Sequence, residues 1–468
     1  MSITHSLLAL GTLALLSAAP ALAQQNGLAS SSDTGRAEQS TSPTRPVAAA
    51  TVDSAPPAAA PIANVFRKTV DRVRPYDQRG INMFEAPKQS SKTFTGPTLD
   101  IGAAFTQQYQ GLTHENTADP RMVGDRNRNR LIDMGAGFNL AAANLAVNAQ
   151  LSRGIVVVLE NYMSSRGHNE FYVKGGYLQI DESPIDVPVL QKIMEYTTLK
   201  IGHFENNYGD AHFRRTDNGQ AMYNPFVGNY IVDAFTTELG GEVYLRRGPW
   251  MAMGGLTSGE VKGAVADPDK RGWARYGKLG YDRQLNQDLR VRLTGSLYKA
   301  DKSLNQTLFS GDRAGSRYYE VLVDSVGRDR WSGSIQPGFR NSVTAFQINP
   351  FVKFRGLELF GVIEQGEGRS AAEATDRKMT QYAGDVVYRF AGDRLYVGGR
   401  YNAVTAELAG MADEVSVDRA QLGGGWFISP LVLLKGEYVN QKYNDFPTTD
   451  IRNGGRFKGF VVEGVVAF

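Results

Sequence analysis

From about Phe94 to the C-terminus, apolar and polar residues alternate with a period of two over segments of roughly ten residues, separated by clusters of Gly, Asn, Asp, Ser and Pro. That period predicts strands whose side chains divide between an apolar and a polar face. Counted this way, the chain holds about sixteen strands, near 94–107, 131–142, 155–164, 170–180, 197–205, 233–246, 249–258, 272–284, 289–300, 342–355, 357–366, 377–391, 393–405, 415–428, 431–443 and 456–468. Ala142 to Gln150 fits either helix or strand, and Arg317 to Val323 is placed inside a long loop so that up and down strands keep alternating. Asp186 to Tyr196 (DVPVLQKIMEY) predicts a short helix, capped by Asp186 with Pro188 in its first turn.

Tight turns are expected at Arg246-Arg247-Gly248-Pro249, Asn286-Gln287-Asp288, Arg355-Gly356, Ala391-Gly392-Asp393 and Ile428-Ser429-Pro430. Between these hairpins lie longer polar loops, at about 108–130, 206–232, 259–271, 301–341, 367–376, 406–414 and 444–455. Short turns on one rim and long loops on the other are the asymmetry of barrels that cross the bacterial outer membrane, the short rim facing the periplasm. A soluble β-sandwich needs no such asymmetry. The last strand, Phe457 to Phe468 (FKGFVVEGVVAF), puts Phe460, Val462, Val466 and Phe468 on one face and Glu463 on the other. An unpaired apolar terminal strand invites aggregation, and closure onto the first strand removes that hazard. The expected fold is all-β: a transmembrane antiparallel β-barrel of about sixteen strands over residues 93–468, with short periplasmic turns and long extracellular loops.

The start of the chain differs. Leu7 to Leu16 is a short apolar core, followed by Pro20 and Ala21-Leu22-Ala23 before Gln24, the small-x-small pattern of a secretory cleavage site. Residues 1–23 are therefore expected to be a signal peptide, although only His5 stands where Lys or Arg is usual. Residues 24–92, rich in Ala, Ser, Thr, Pro and Gln, are expected to form a disordered periplasmic lead, with Arg67, Lys68, Arg72 and Arg74 as solvated linker charges. No later apolar run reaches the roughly 18–20 residues of a membrane helix. The absence of cysteine excludes disulfides and thiolate metal sites. A net charge of +3, with bases and acids interleaved, gives no concentrated basic face for nucleic acid. No cofactor or metal is expected.

With the apolar face turned to lipid, Leu289, Val291, Leu293 and Leu297 point outward and Arg290, Arg292, Thr294, Ser296 and Tyr298 inward. The same rule turns Lys174, Lys200, Lys353, Arg389, Arg400 and Lys435 into the bore, mixed with Glu160, Glu238, Glu242, Glu358, Glu364, Asp385, Glu437 and Glu463. About sixteen strands leave room for an aqueous channel, so the function expected is passive diffusion of small hydrophilic solutes or ions. Acids among the bases preclude a ring of one sign; the same charges also fit cross-strand pairs that only stiffen the wall. The candidate pore-lining set adds Arg313 and Arg317, from a Gly-rich loop (301–341) that either folds into the bore or lies over it as a lid.

Two stretches carry a resemblance. Leu199-Lys200-Ile201-Gly202-His203-Phe204 with Tyr208-Gly209 resembles a central strand of the phosphate-selective porin O and P family, and Asn349-Pro350-Phe351 through Gly361 resembles porin-like outer-membrane proteins. The resemblance implies a sixteen-stranded diffusion channel, a homotrimer, and a solute-facing role for Lys200. The family's ladder of inward Arg and Lys with few acids is not kept here. The closing strand also resembles that of bacterial outer-membrane barrels, which implies that Phe468, with Phe460, Val462 and Val466, is read by the barrel assembly machinery. Outer-membrane lipids and lipopolysaccharide would surround such a protein. Two rival readings are a plugged structural or adhesive surface barrel and an outer-membrane hydrolase. The hydrolase would draw on His168, His203 or Asp210-Ala211-His212 at the outer rim, and His203, His212, Glu205 and Asp210 are also the residues a loop-bound divalent ion would use.

Overall fold

The computed structural model describes residues 70–90, 92–166, 171–263, 265–310, 317–324, 326 and 331–468. The segment 1–69, with the expected signal peptide, and Arg313 lie outside the described residues. Sixteen strands form one closed antiparallel barrel. They are β1 (Thr98–Glu115), β2 (Ala142–Ser152), β3 (Ile155–Ser164), β4 (Phe171–Ile180), β5 (Thr197–Glu205), β6 (Thr237–Arg247), β7 (Trp250–Thr257) and β8 (Ala274–Gln284). The second half holds β9 (Leu289–Ala300), β10 (Ser342–Phe354), β11 (Leu357–Arg369), β12 (Arg377–Phe390), β13 (Leu395–Ala406), β14 (Val415–Ser429), β15 (Val432–Asn444) and β16 (Arg456–Ala467). Each strand pairs with its neighbours in sequence. β16 closes on β1, running from Ala104 opposite Ala467 to Glu115 opposite Arg456. The two-residue strand Gly137–Phe138 adds to β1 at the outer rim.

The alternation does what membrane and lumen require. On β9, Leu293 and Leu297 are exposed outward, whereas Arg292, Thr294, Ser296 and Tyr298 are buried inside. On β16, Phe460, Val462 and Val466 face outward, as does Phe468 just after it, and Glu463 is buried inside. Aromatic side chains cluster near the short-turn rim, where Trp250 meets Tyr281 edge-on and Tyr388 stacks on Phe390. The turn Ala391-Gly392-Asp393 has three consecutive positive φ values, and Arg355 turns the β10–β11 hairpin at φ 52°. On β14, Gly425 has no side chain because a Cβ there would come within 2.4 Å of the Tyr396 ring.

Three expectations are corrected. The second strand is Ala142–Ser152 instead of 131–142, and β1 runs on to Glu115. Alternation of Asn and Gln with Ala and Leu is weak, but it is real: Ala142, Asn144, Ala146, Asn148 and Gln150 are all buried inside. The helix, α1, spans Pro188–Met194 with Val187 at its N-cap, and Asp186 instead accepts a hydrogen bond from the Gln191 side chain. Third, residues 70–90, expected within a disordered lead, pack against the inner wall. Val70 and Val73 sit on Val156 and Val158, and Phe84 sits on Phe351.

The loops divide sharply. Residues 206–236, between β5 and β6, run back through the bore, and nearly every one is buried. The described residues of the 301–341 loop also turn inward at Arg317, Tyr318, Val321 and Ile335, which are buried. Its Ile335 N–H donates to the Ile231 carbonyl, so the two loops join inside the barrel.

Candidate functional site

The lumen has a filled side and a side that keeps open space. On the filled side, inward residues of β9 to β16 hold the 206–236 segment by its backbone. Glu437 accepts from the N–H groups of Val227 and Gly228, Asn402 from Ile231, and Gln381 from Val232. Lys435 donates to the carbonyls of Ala221, Asn224 and Phe226 at 2.8–3.0 Å, and Arg419 donates to that of Asn229. A loop removed from bulk water must satisfy its peptide groups, and the polar face of the barrel supplies the partners.

The buried charges are paired. Arg400 forks onto Asp385 at 2.6 and 2.8 Å, Arg389 onto Glu358 at 2.7 Å, and Lys435 and Arg317 share Glu463 at 2.9 and 3.2 Å. Asp210, from the infolded segment, lies between Lys278 at 2.6 Å and Arg292 at 2.8 Å and also accepts from Thr294. Glu85, from the N-terminal segment, joins the same cations at 3.3 and 2.9 Å. Burial alone would raise both carboxyls, but Arg292 and Lys278 outweigh it and hold them below the usual carboxylate range. Such pairing offsets the several kcal/mol per ion that desolvation costs.

On the other side, along β3 to β6, a cavity of about 210 Å³ lies between the wall, the 72–86 segment and the start of the infolded loop. Both signs of charge line it: Arg72, Arg74, Lys174, Lys200, Arg215 and Arg246 against Glu85, Glu160, Glu205 and Asp217. Lys174 binds Asp217 at 2.5 Å, Glu205 at 3.0 Å and Glu160 at 3.2 Å. Lys200 lies 4.5 Å from the centres of both the Tyr177 and Phe204 rings and 3.6 Å from Glu242. Arg74 stacks 3.5 Å over Tyr223. The volume falls below the roughly 300–1,000 Å³ of drug-sized ligand sites, so water, ions and small polar molecules are what it accommodates.

The structure distributes the candidate residues unevenly. Lys174 and Lys200 line the cavity. Arg290 pairs with Asp282 and sits near the short-turn rim beside Arg292. Arg317, Glu358, Asp385, Arg389, Arg400 and Lys435 are buried in ion pairs on the filled side. Lys353 is half-exposed at the rim, 4.0 Å from Asp393. Asp210 and His212 have separate partners, the latter's ring facing Glu205 at 2.6 Å and Asn207 at 3.1 Å. Burial pushes the His212 imidazole down despite Glu205. His203 meets Thr237.

The sequence reading missed Arg72, Arg74, Glu85, Arg215 and Asp217 as lumen residues. One signal pointed to the last two: 206–236 carries Met222, Phe226, Val227, Tyr230, Ile231, Val232 and Phe235, too apolar for a solvated surface loop.

No protein-family model matches the chain, and no curated protein matches it in sequence. Among solved structures it is similar to the anion-selective porin from Comamonas acidovorans, at 14% identity and TM-score 0.48, over 80% of this chain and 100% of that one. It is also similar to OmpT, an outer membrane protein of Vibrio cholerae, at 10% identity and TM-score 0.46 over 80% and 99% of the two chains. OprB of Pseudomonas putida gives 11% identity and TM-score 0.47 over 80% and 94%. Sixteen closed strands with an apolar, aromatic-rimmed exterior and a polar interior make this an outer-membrane transmembrane β-barrel.

Proposed function

We propose that this barrel passes small hydrophilic solutes or ions along its β3–β6 side, through a route narrowed by the N-terminal segment and the infolded loop. The charged cavity of about 210 Å³ carries this reading, because it is open space on the inner side of the barrel wall lined by charges of both signs. Lys174, Lys200 and Arg215 facing Glu160, Glu205 and Asp217 favour weak charge preference over the anion selectivity that the likeness to the O and P family implies. Assembly as a homotrimer belongs to the same proposal.

The test is conductance of the purified full-length barrel in planar bilayers. Steady openings of low conductance are expected, with a reversal potential under a salt gradient that moves toward cation selectivity in Lys200→Glu. A second reading, a plugged structural or adhesive barrel, is favoured by the complete burial of Asn349, Glu358, Glu364, Arg419 and Gln441 beneath the loops. Silence in the bilayer, persisting after deletion of residues 24–92, would support it and defeat the channel.

A further inference from the structure

The connection between β4 and β5 is the one long excursion at the short-turn rim, and α1 within it is amphipathic. At 100° per residue, Val189, Ile193, Leu190 and Met194 fall on one arc, whereas Gln191, Glu195 and Lys192 fall on the opposite one. The barrel covers only the Met194 edge of that apolar arc. Val189 remains 67% exposed and Ile193 52%, with Ile185 beside them at 58%. A soluble rim helix with this much bare apolar surface would be an aggregation liability.

The position of the helix shows what covers it. Thr197, the first residue of β5, shares the outward face with Leu199 and Ile201 and stands opposite the exposed Leu245 of β6. Thr197 is nevertheless buried, because the end of α1 lies over it, and its hydroxyl donates to the Ile193 carbonyl at 2.9 Å. The helix is thus fixed to the lipid side of the rim. Its apolar arc continues the band formed by Leu245, Val243 and Ile201.

We propose that α1 is an interfacial anchor that lays Val189, Leu190 and Ile193 into the periplasmic leaflet of the outer membrane, with phospholipid as its partner. Lys192 and Glu195 stay in the headgroup water. This role is independent of whether the barrel conducts.

The chain has no cysteine, so single labels can be placed cleanly. Nitroxides on Val189→Cys, Ile193→Cys and Lys192→Cys of the full-length barrel, reconstituted in phosphatidylethanolamine and phosphatidylglycerol bilayers, report collisions with oxygen and with a water-soluble nickel chelate. Leu279→Cys on the outer wall and Asp288→Cys in a tight turn calibrate lipid and water. The oxygen-to-nickel ratio is expected to be several-fold higher at 189 and 193 than at 192, approaching that at 279. Ratios at 189 and 193 equal to that at 288 would overturn the proposal. So would labels shielded from both probes, which would mean that protein covers the helix.

Discussion

Asp210 is the sharpest test of how the infolded segment is held. Its carboxylate is fully buried, takes three hydrogen bonds, two from Arg292 at 2.8 and 2.9 Å and one from Thr294 at 2.9 Å, and pairs with the Lys278 ammonium at 2.6 Å. Asp210→Ala leaves two buried cations sharing Glu85, with Asp282 still 3.2 Å from Arg292. Breaking a buried pair by removing one partner costs about 3–5 kcal/mol, and the nearby Glu85 puts the expectation at the lower end. About 3 kcal/mol raises the population of locally opened molecules roughly a hundredfold, since each 1.4 kcal/mol is tenfold. Only the start of the segment should open, because Lys435 and Glu437 still hold Ala221 to Gly228. Arg214 and Arg215, two trypsin sites now buried, lie in that released part. Folded Asp210→Ala barrel should be cut there by trypsin under conditions in which the parent stays whole, and its bilayer conductance should rise. If the variant resists trypsin as the parent does, the carboxylate is not what pins the segment.

Gly219→Ala should destabilise the loop by about 1–3 kcal/mol, because its Cβ would lie 2.4 Å from the backbone of Ala143 on β2, which cannot move aside; the temperature at which the barrel unfolds on gels should drop. Acid should loosen the N-terminal segment. The Glu85 carboxyl is held low in the folded state, so its contribution is complete above the unfolded value of about 4.3 and is lost as pH falls below it. Protease access to residues 70–90 should therefore rise below that pH, and Glu85→Gln should show the same access at neutral pH. Glu463→Gln should leave Lys435 and Arg317 without their shared anion and lower the unfolding temperature more than Glu367→Gln, a substitution at an exposed, loosely paired carboxylate.

The barrel was legible along the chain because a bilayer imposes a local rule. Each outward position must be apolar and each inward one polar, so Leu289 to Tyr298 or Phe457 to Phe468 declare their faces without reference to any other segment. Where the outward residues shrink to Ala and Leu between inward Asn and Gln, as in Ala142–Ser152, the signal weakens and the expected strand, 131–142, falls about one full strand length too early.

What fills the bore was not legible, because it depends on pairings between distant residues. Asp210 meets Arg292, Val227 meets Glu437, and Asn82 meets Glu358, each pair separated by 82 to 276 positions. Nothing local distinguishes an Arg that faces water from one that meets a carboxylate delivered by a loop. The chain alone determined a closed wall with a charged interior. Only tertiary structure decided that most of those charges are spent holding the protein's own segments, and that Lys174, itself bound to Asp217 of the infolded loop, and Lys200 border a charged cavity. Period-two alternation is a property of neighbours in sequence, whereas neutralisation of a buried charge is a property of neighbours in space.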